Sequence, residues 1–371
     1  MYSTIQAALD AQQDGEVVEV LDRGPYRESL TWRRKTDAGL ISHVGTLIEA
    51  EEWTINRNNS SERLLHRFEN LQGCRLQGFL FLYNQQDKND HFVLLAYNTS
   101  GLCLEDLVFM DASSTGPLSE PGIFLMAKGK EWGATSLHGC VFDTALYASA
   151  QDHSADYLIT RNWWIRSKPF PESPFLLRAA PTTSWIVSEN VFDVPGLSHL
   201  FFVQEGHDQI GNCLHTYTRN TILQPAAELL VCSEGIPGRD VTITYNLWPL
   251  AGPIARVPSP LSSDARSFWT IQGNFGGTPG DTSPKIWQIP LANADHRGKI
   301  TFLSLEPLNH NYARLDPQWV KEHFPDMQTV PGAVPSRSAP EARDWMDWLS
   351  TEYRLGRAAA HAAVQRRKAA R

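Results

Sequence analysis

Seven side chains able to do acid–base or ionic chemistry fall in four short stretches. They are Asp152 and His153 in AQDHSAD, Arg178 in RAAP, Glu205, His207 and Asp208 in VQEGHDQ, and Glu234 in CSEG. If these stretches share one edge of the molecule, they supply what β-elimination on a uronate polysaccharide requires. A guanidinium such as Arg178 neutralises the sugar carboxylate and so acidifies the neighbouring ring proton. A base such as His207 or His153 removes that proton, and an acid assists the leaving oxygen. Two of the carboxylates would instead suit glycoside hydrolysis, where their separation sets the stereochemical outcome. Glu205, Asp208 and Glu234 are also oxygen ligands of the kind a calcium ion takes. The plainer reading makes all of them polar turn residues, hydrogen-bonded locally at the ends of strands.

A repeat is what brings these stretches together. In DVTITYNLW (240–248) the positions Val241, Ile243, Asn246 and Trp248 recur as Trp185, Val187, Asn190 and Phe192. They recur again as Tyr157, Ile159, Asn162 and Trp164, as His215, Tyr217, Asn220 and Ile222, and as Trp269, Ile271 and Asn274. Looser copies lie upstream at Cys74, Leu76, Phe79, Phe81, at Leu102, Leu104, Leu107, Phe109, and at Thr135, Leu137, Cys140, Phe142. The asparagine slot steps through 79, 107, 140, 162, 190, 220, 246 and 274, at intervals of 22 to 33 residues. That is a repeat with loops of variable length. Alternation with period two predicts a strand with one buried face, bent by the turn in its middle.

Such a unit cannot bury its apolar face alone, so successive units must stack. The stack that fits is all-β, a right-handed parallel β-helix (a solenoid) in which each asparagine amide donates to the next, about 4.8 Å away. Phe79, Leu107 and Cys140 would replace the amide by apolar stacking. The column Thr160, Ser188, Thr218, Thr244 suits a solvated outer face. The turn column Arg161, Glu189, Arg219 alternates in sign, so neighbours attract, as surface charges of small individual worth. Aligned this way, the four stretches above fall on one edge of the stack.

The chain opens with STIQAALDAQQDG, where Ser3 or Thr4 can cap a helix, Ile5, Ala8 and Leu9 form its apolar stripe, and Gly15 can end it. EVVEVLD then alternates as a strand, followed by PYRESL. Residues 4–10 together with Tyr26, Arg27 and Glu28 resemble the opening of pectin-lyase-like right-handed parallel β-helix proteins, including pectin methylesterases. A comparable opening occurs in β-helix regions appended to some bacterial serine/threonine kinases. The resemblance implies a helical plug over the open end of a β-helix and, in the enzymes of the family, activity on polysaccharides. Of the polygalacturonase pattern, an aspartate pair and G-H-G, the chain has Gly206, His207 and then Asp208. Of the pectate-lyase pattern, acidic calcium ligands and an arginine ahead of a proline, it has Asp152 with Asp156, and Arg178 before Pro181.

The expected organisation is a cap over 1–15, a β-helix over 16–305, a linker with a short helix over 306–339, and a helix with a basic tail over 340–371. Residues 31–70 make less regular first repeats, and 300–305 a last strand. PLAGPIARVPSPLSSDA (249–265) and GGTPGDTSP (276–284) read as loops. LDPQWVKEHF predicts a short helix with proline near its start. Trp345, Trp348, Leu349 and Leu355 fall on a helical stripe that can lie over the last repeat or along the side of the stack.

Composition bounds the rest. The chain has 371 residues, 42% of them hydrophobic, with 12 Trp and 16 Phe, which is ample core for one elongated body. The net charge of -8 hides six Lys/Arg and no acid in 354–371, so the body before it carries -14. An acidic body does not suit nonspecific nucleic-acid binding, and no run approaches a membrane span. Residues 1–13 have neither a basic nor an apolar signal region, so the expectation is no secretory signal and a cytoplasmic chain by default, or a piece of a longer one. Five cysteines, odd in number and without CxxC, read as reduced packing thiols. Trp164, Trp185, Trp248 and Trp269 fall in inward slots, whereas Trp163 and Phe275 point outward and Trp132 lies in a loop. Outward aromatics can stack on sugar rings.

Two functional readings follow. The first is a noncatalytic recognition module that binds a polysaccharide or a protein along the flank of the stack, as a monomer and without a cofactor. The second is a polysaccharide lyase or glycoside hydrolase that uses the edge around 152, 178 and 207, with calcium as its conceivable ion. Assembly through uncapped ends is a third.

Overall fold

The computed structural model describes residues 1–50, 52–56, 59–84, 90–111, 122–129, 131–150 and 155–165, then strand and turn segments between 177 and 334 without most of the loops that join them. All structural statements concern those residues. The chain is all-β apart from two short helices, Ile5–Ala11 and Pro317–His323, the latter where LDPQWVKEHF predicted it.

The repeat strands build one long sheet whose neighbours along the chain pair in parallel. Leu76, Leu104, Leu137, Ile159, Val187, Tyr217 and Ile243 stand in register, one per repeat. After the turn, Phe81, Phe109, Phe142, Trp164 and Phe192 stack face to face, with centroids 4.8, 5.7, 4.8 and 4.9 Å apart. A second sheet, all parallel along its main path, lies between the repeats in sequence. It runs from Thr31–Thr36 through Arg63–Gln72, Asp90–Thr99, Gly122–Ala127 and Ala145–Ala150 to Leu177–Ala179, His199–Val203, Glu228–Cys232 and Ala255–Arg256. Ala255–Arg256 is a strand inside the stretch expected to be loop. Inward residues of both sheets, such as Leu125 and Leu146 with Phe109 and Phe142, form one core cluster.

Asn162, Asn190, Asn220, Asn246 and Asn274 are at most 1% exposed. The side-chain NH₂ of each of the first four donates to the Oδ1 of the next, at 3.0, 3.1, 3.0 and 2.9 Å. It donates also to a backbone carbonyl, of Leu137, Ile159, Val187 and Tyr217 in turn. Each Oδ1 also accepts from the backbone N–H of the slot before it, beginning with Asn162 Oδ1 from Cys140 N–H at 2.8 Å. Cys140 imitates the amide, its thiol donating to the Leu104 carbonyl at 3.6 Å. Phe79 and Leu107 are fully buried, as apolar stacking demands.

Beside this column the turn residues Arg161, Glu189, Arg219 and Tyr245 all adopt positive φ, between 53° and 58°. Glu189 lies between Arg161 (2.6 Å) and Arg219 (2.9 Å) as the alternating signs predicted. It is, however, buried rather than at the surface, so removing one arginine leaves a carboxylate short of a partner. The hydroxyl column is also less solvated than expected. Ser188 and Thr244 are each 9% exposed, and Thr244 donates to Thr218 at 2.9 Å.

The first helix explains the opening motif. Thr4 Oγ1 accepts from Ala7 N–H, and the Glu28 carboxylate accepts from Ile5 and Gln6 N–H, both at 2.9 Å. Together they satisfy three of the donors a helix start leaves open. Ile5, Ala8 and Leu9 are buried, Ile5 and Leu9 within the core cluster. Gln12 accepts from the indole of Trp32 and donates to the carbonyls of Glu16 and Gly39.

Two stability predictions follow from buried polar groups. Asn190→Ala orphans two buried donors of Asn162, at about 1–3 kcal/mol each. Urea denaturation should therefore register a loss of about 3–5 kcal/mol; a loss under about 1 kcal/mol would contradict the ladder. His66 is 1% exposed, accepts from Leu30 N–H at 3.1 Å and meets Phe81 edge-on. Burial holds its pKa at about 3. The unfolded chain takes up that proton near pH 6.5, so stability present above 6.5 is lost as pH falls towards 3, by about 1.4 kcal/mol per unit. His66→Asn keeps an acceptor for Leu30 without titrating. It should shrink the stability difference between pH 7.5 and pH 5 by about 2 kcal/mol, and an unchanged difference would refute the assignment.

Candidate functional site

Each strand of the second sheet hands over to a repeat strand of the long sheet through one kind of junction. Gly122–Ala127 leads to Thr135–His138, Ala145–Ala150 to Ala155–Thr160, and Leu177–Ala179 to Thr183–Ser188. His199–Val203 leads to Leu214–Thr218, and Glu228–Cys232 to Asp240–Thr244. The flanking strands are in register, Ala148 with Ala179 with Val203, and Ala155 with Thr183. The asparagine alignment expects the segments carrying Asp152, His153, Glu205, His207, Asp208 and Glu234 on one edge, and the strands that flank them are in register. Those six residues lie outside the described residues, and so does the calcium set drawn from them. Among the described residues no group of three or more His, Cys, Asp or Glu is arranged to hold a metal ion.

Trp132 shares this junction. Its side of the chain is fixed by glycines: a Cβ on Gly101, at φ 62°, would stand 2.1 Å from the Trp132 carbonyl oxygen. A Cβ on Gly73 would stand 2.8 Å from the indole. Trp132 N–H donates to Ser100 Oγ at 3.3 Å, and the residue is 44% exposed. The indole thus lies close against the Gly73 backbone while the residue stays partly open to solvent, as a sugar-stacking residue needs.

Trp163 does not qualify. Strand alternation sends it outward, opposite to Trp164, but it is 1% exposed. It belongs to a second apolar cluster with Leu80, Leu82, Val108, Val141 and Val191. The chain returns onto this outer column: Ala333 is fully buried in the same cluster and donates to Thr221 Oγ1 at 3.0 Å, while Gly332 N–H donates to the Tyr245 carbonyl. An outward apolar residue under a returning segment is core, and the binding role expected of Trp163 is withdrawn.

Arg178 sits in the strand Leu177–Ala179, not in a loop, in register with Tyr147 on one side and Phe202 on the other. That register exposes a feature absent from the sequence reading. By register, Arg67, the buried Leu95, Phe124 and Tyr147 occupy one line across the second sheet, and the strand positions of Arg178 and Phe202 continue it. Phe92 and Phe124 lie 5.4 Å apart at 57°, and Phe124 and Tyr147 lie 6.4 Å apart at 30°. All three are half-buried, and Tyr147 lies over Gly122, where a Cβ would meet its ring at 2.8 Å. Arg67 contacts Glu69, which also pairs with Arg33 at 3.1 Å. Phe92, which pairs with Gly122, joins Phe124 and Tyr147 in a run of three rings, with Arg67 in the strand before it and the Arg178 position in the strand after it. Such a run can stack successive apolar faces of an extended ligand and meet polar or anionic groups beyond them. Its signal was present in GIFLMA and ALYASA, where Phe124 and Tyr147 occupy the positions opposite the buried Leu125 and Leu146.

No family model, curated protein or solved structure matches the chain.

The two tryptophans give a direct check. Trp163→Ala should cost about 3–5 kcal/mol, as a large cavity in a packed cluster does, whereas Trp132→Ala should cost about 1 kcal/mol or less. Equal losses in chemical denaturation would contradict the contrast in burial.

Proposed function

We propose that the chain is a noncatalytic recognition module, a right-handed parallel β-helix that binds a polysaccharide along the outer face of its second sheet. The hand follows from the strong preference of parallel crossovers for the right-handed path. The in-register ladders are what a closed stack would produce, and the helix over the first repeat agrees with the resemblance to pectin-lyase-like proteins. The observation that carries the binding reading is the run of rings Phe92, Phe124 and Tyr147 on successive strands, with the Arg178 position paired with Tyr147 in the next strand. Strands in one sheet are about 4.8 Å apart, so the three rings offer closely spaced apolar surface to an extended polymer. Trp132, at the neighbouring junction, would extend the contact.

The test is a binding screen against neutral glycans and polyuronates, with unsaturated products and new reducing ends measured in the same wells. Binding without cleavage is expected. The double variant Phe124→Ala, Tyr147→Ala should weaken it by tenfold or more with the fold retained by circular dichroism. Binding that survives this variant would overturn the site. Cleavage by the wild type that is lost in His207→Ala or Arg178→Ala would replace recognition by catalysis at the junction.

A further inference from the structure

The cap over the first repeat treats two strand edges differently. At the strand Thr31–Thr36 the edge is occupied: Thr31 N–H donates to Gln6 Oε1 at 2.7 Å, and Gln6 Nε2 donates back to the Thr31 carbonyl at 2.9 Å. Thr36 N–H donates to Asp14 at 2.8 Å, and Gly15 N–H donates to the Thr36 carbonyl at 2.9 Å. The long sheet begins with Val17–Val20, which pairs in parallel with Gly39–Ala50 on one side. Among the described residues no strand pairs with its other side.

The geometry of that open side is specific. Gly39 N–H donates to the Glu16 carbonyl, so by strand alternation the backbone groups of Glu16, Val18 and Val20 turn towards Gly39–Ala50. Those of Val17, Glu19 and Leu21 then turn the other way. Val17 and Leu21 are 59% and 70% exposed. A groove of about 740 Å³ runs between this edge and the helix, floored by Ile5, Ala8, Gln12, Val18 and Val20. Residues 1–22 hold Asp10, Asp14, Glu16, Glu19 and Asp22 and no Lys or Arg.

We propose that the Val17–Val20 edge docks an extended, basic segment of another protein chain, which adds to the long sheet as one more strand. Strand addition uses free backbone groups for affinity and alternate side chains for specificity. The occupant would place Lys or Arg opposite Glu19, apolar residues opposite Val17 and Leu21, and small apolar residues in the groove over Val18 and Val20. A second copy of this chain is a poor occupant, because antiparallel pairing of the same edge centred on Glu19 sets two carboxylates against each other. The proposal uses only this edge and does not rest on the polysaccharide reading.

The probe is the synthetic peptide acetyl-KLVKVVK-amide, compared with acetyl-ELVEVVE-amide, using the full chain. Titration should favour the lysine peptide by tenfold or more, with affinity falling as salt rises from 50 to 500 mM. Hydrogen exchange at the amides of Val17, Glu19 and Leu21 should slow by tenfold or more in its presence. Glu19→Lys should reverse the preference. Val17→Pro removes one edge donor at the first strand position, where proline is tolerated, and should abolish binding without changing the melting temperature. Equal binding of the two peptides, or unchanged exchange at those three amides, would overturn the proposal. So would a concentration-dependent dimer in sedimentation that Val17→Pro abolishes, since it would give the edge to a second copy.

Discussion

A primary amide buried in a protein has two donors and two acceptor sites to satisfy, and few surroundings can satisfy them all. Here the surroundings are copies of the same group. Each internal asparagine of the column gives one N–H to the next side chain and one to a backbone carbonyl, and its oxygen takes two N–H groups in return. This works at one separation, the strand spacing of a parallel sheet. The column therefore fixes the register of every strand beside it. Slipping a strand by one residue would bury unpaired amides and turn its apolar face outward.

What is stacked on that register differs on its two sides. Inside, Phe81, Phe109, Phe142, Trp164 and Phe192 repeat at close to the strand spacing, so ring stacking and backbone pairing favour the same alignment. Outside, the same regularity lays identical positions of successive strands in rows. One row became core when the segment around Ala333 returned onto it. Another, on the second sheet, stayed half-open and carries the rings on which the proposed recognition depends. The helix with its glutamate and glutamine contacts closes the second sheet's first edge and leaves the long sheet's edge open.

The asparagine column was legible in the sequence because a buried amide tolerates almost no substitute, so its spacing survives loops of different length. The start of the first helix was legible for a similar reason: Thr4 answers one unpaired N–H and Glu28 answers two. The second sheet was not, because its strands are short, apolar on both faces in places, and lack a residue that marks their phase. Phe124 and Tyr147 carry no such mark, and Ala255–Arg256 lies in a proline-rich stretch whose composition predicts loop. Trp163 shows a different limit. Alternation tells which face a side chain occupies, and only the rest of the chain decides whether that face meets water. Of the acid–base residues, Arg178 lies in a described strand and the other six lie outside the described residues.

The direct measurement of the account is a double-mutant cycle on the column, by urea denaturation of Asn190→Ala, Asn220→Ala and the pair. These two amides share a side-chain hydrogen bond at 3.1 Å. A coupling energy of about 1–3 kcal/mol is predicted, while Asn162 with Asn274, which share no bond, should add to within about 0.5 kcal/mol. Strict additivity of the 190–220 pair would mean the amides do not hold one another, and the register would need another cause.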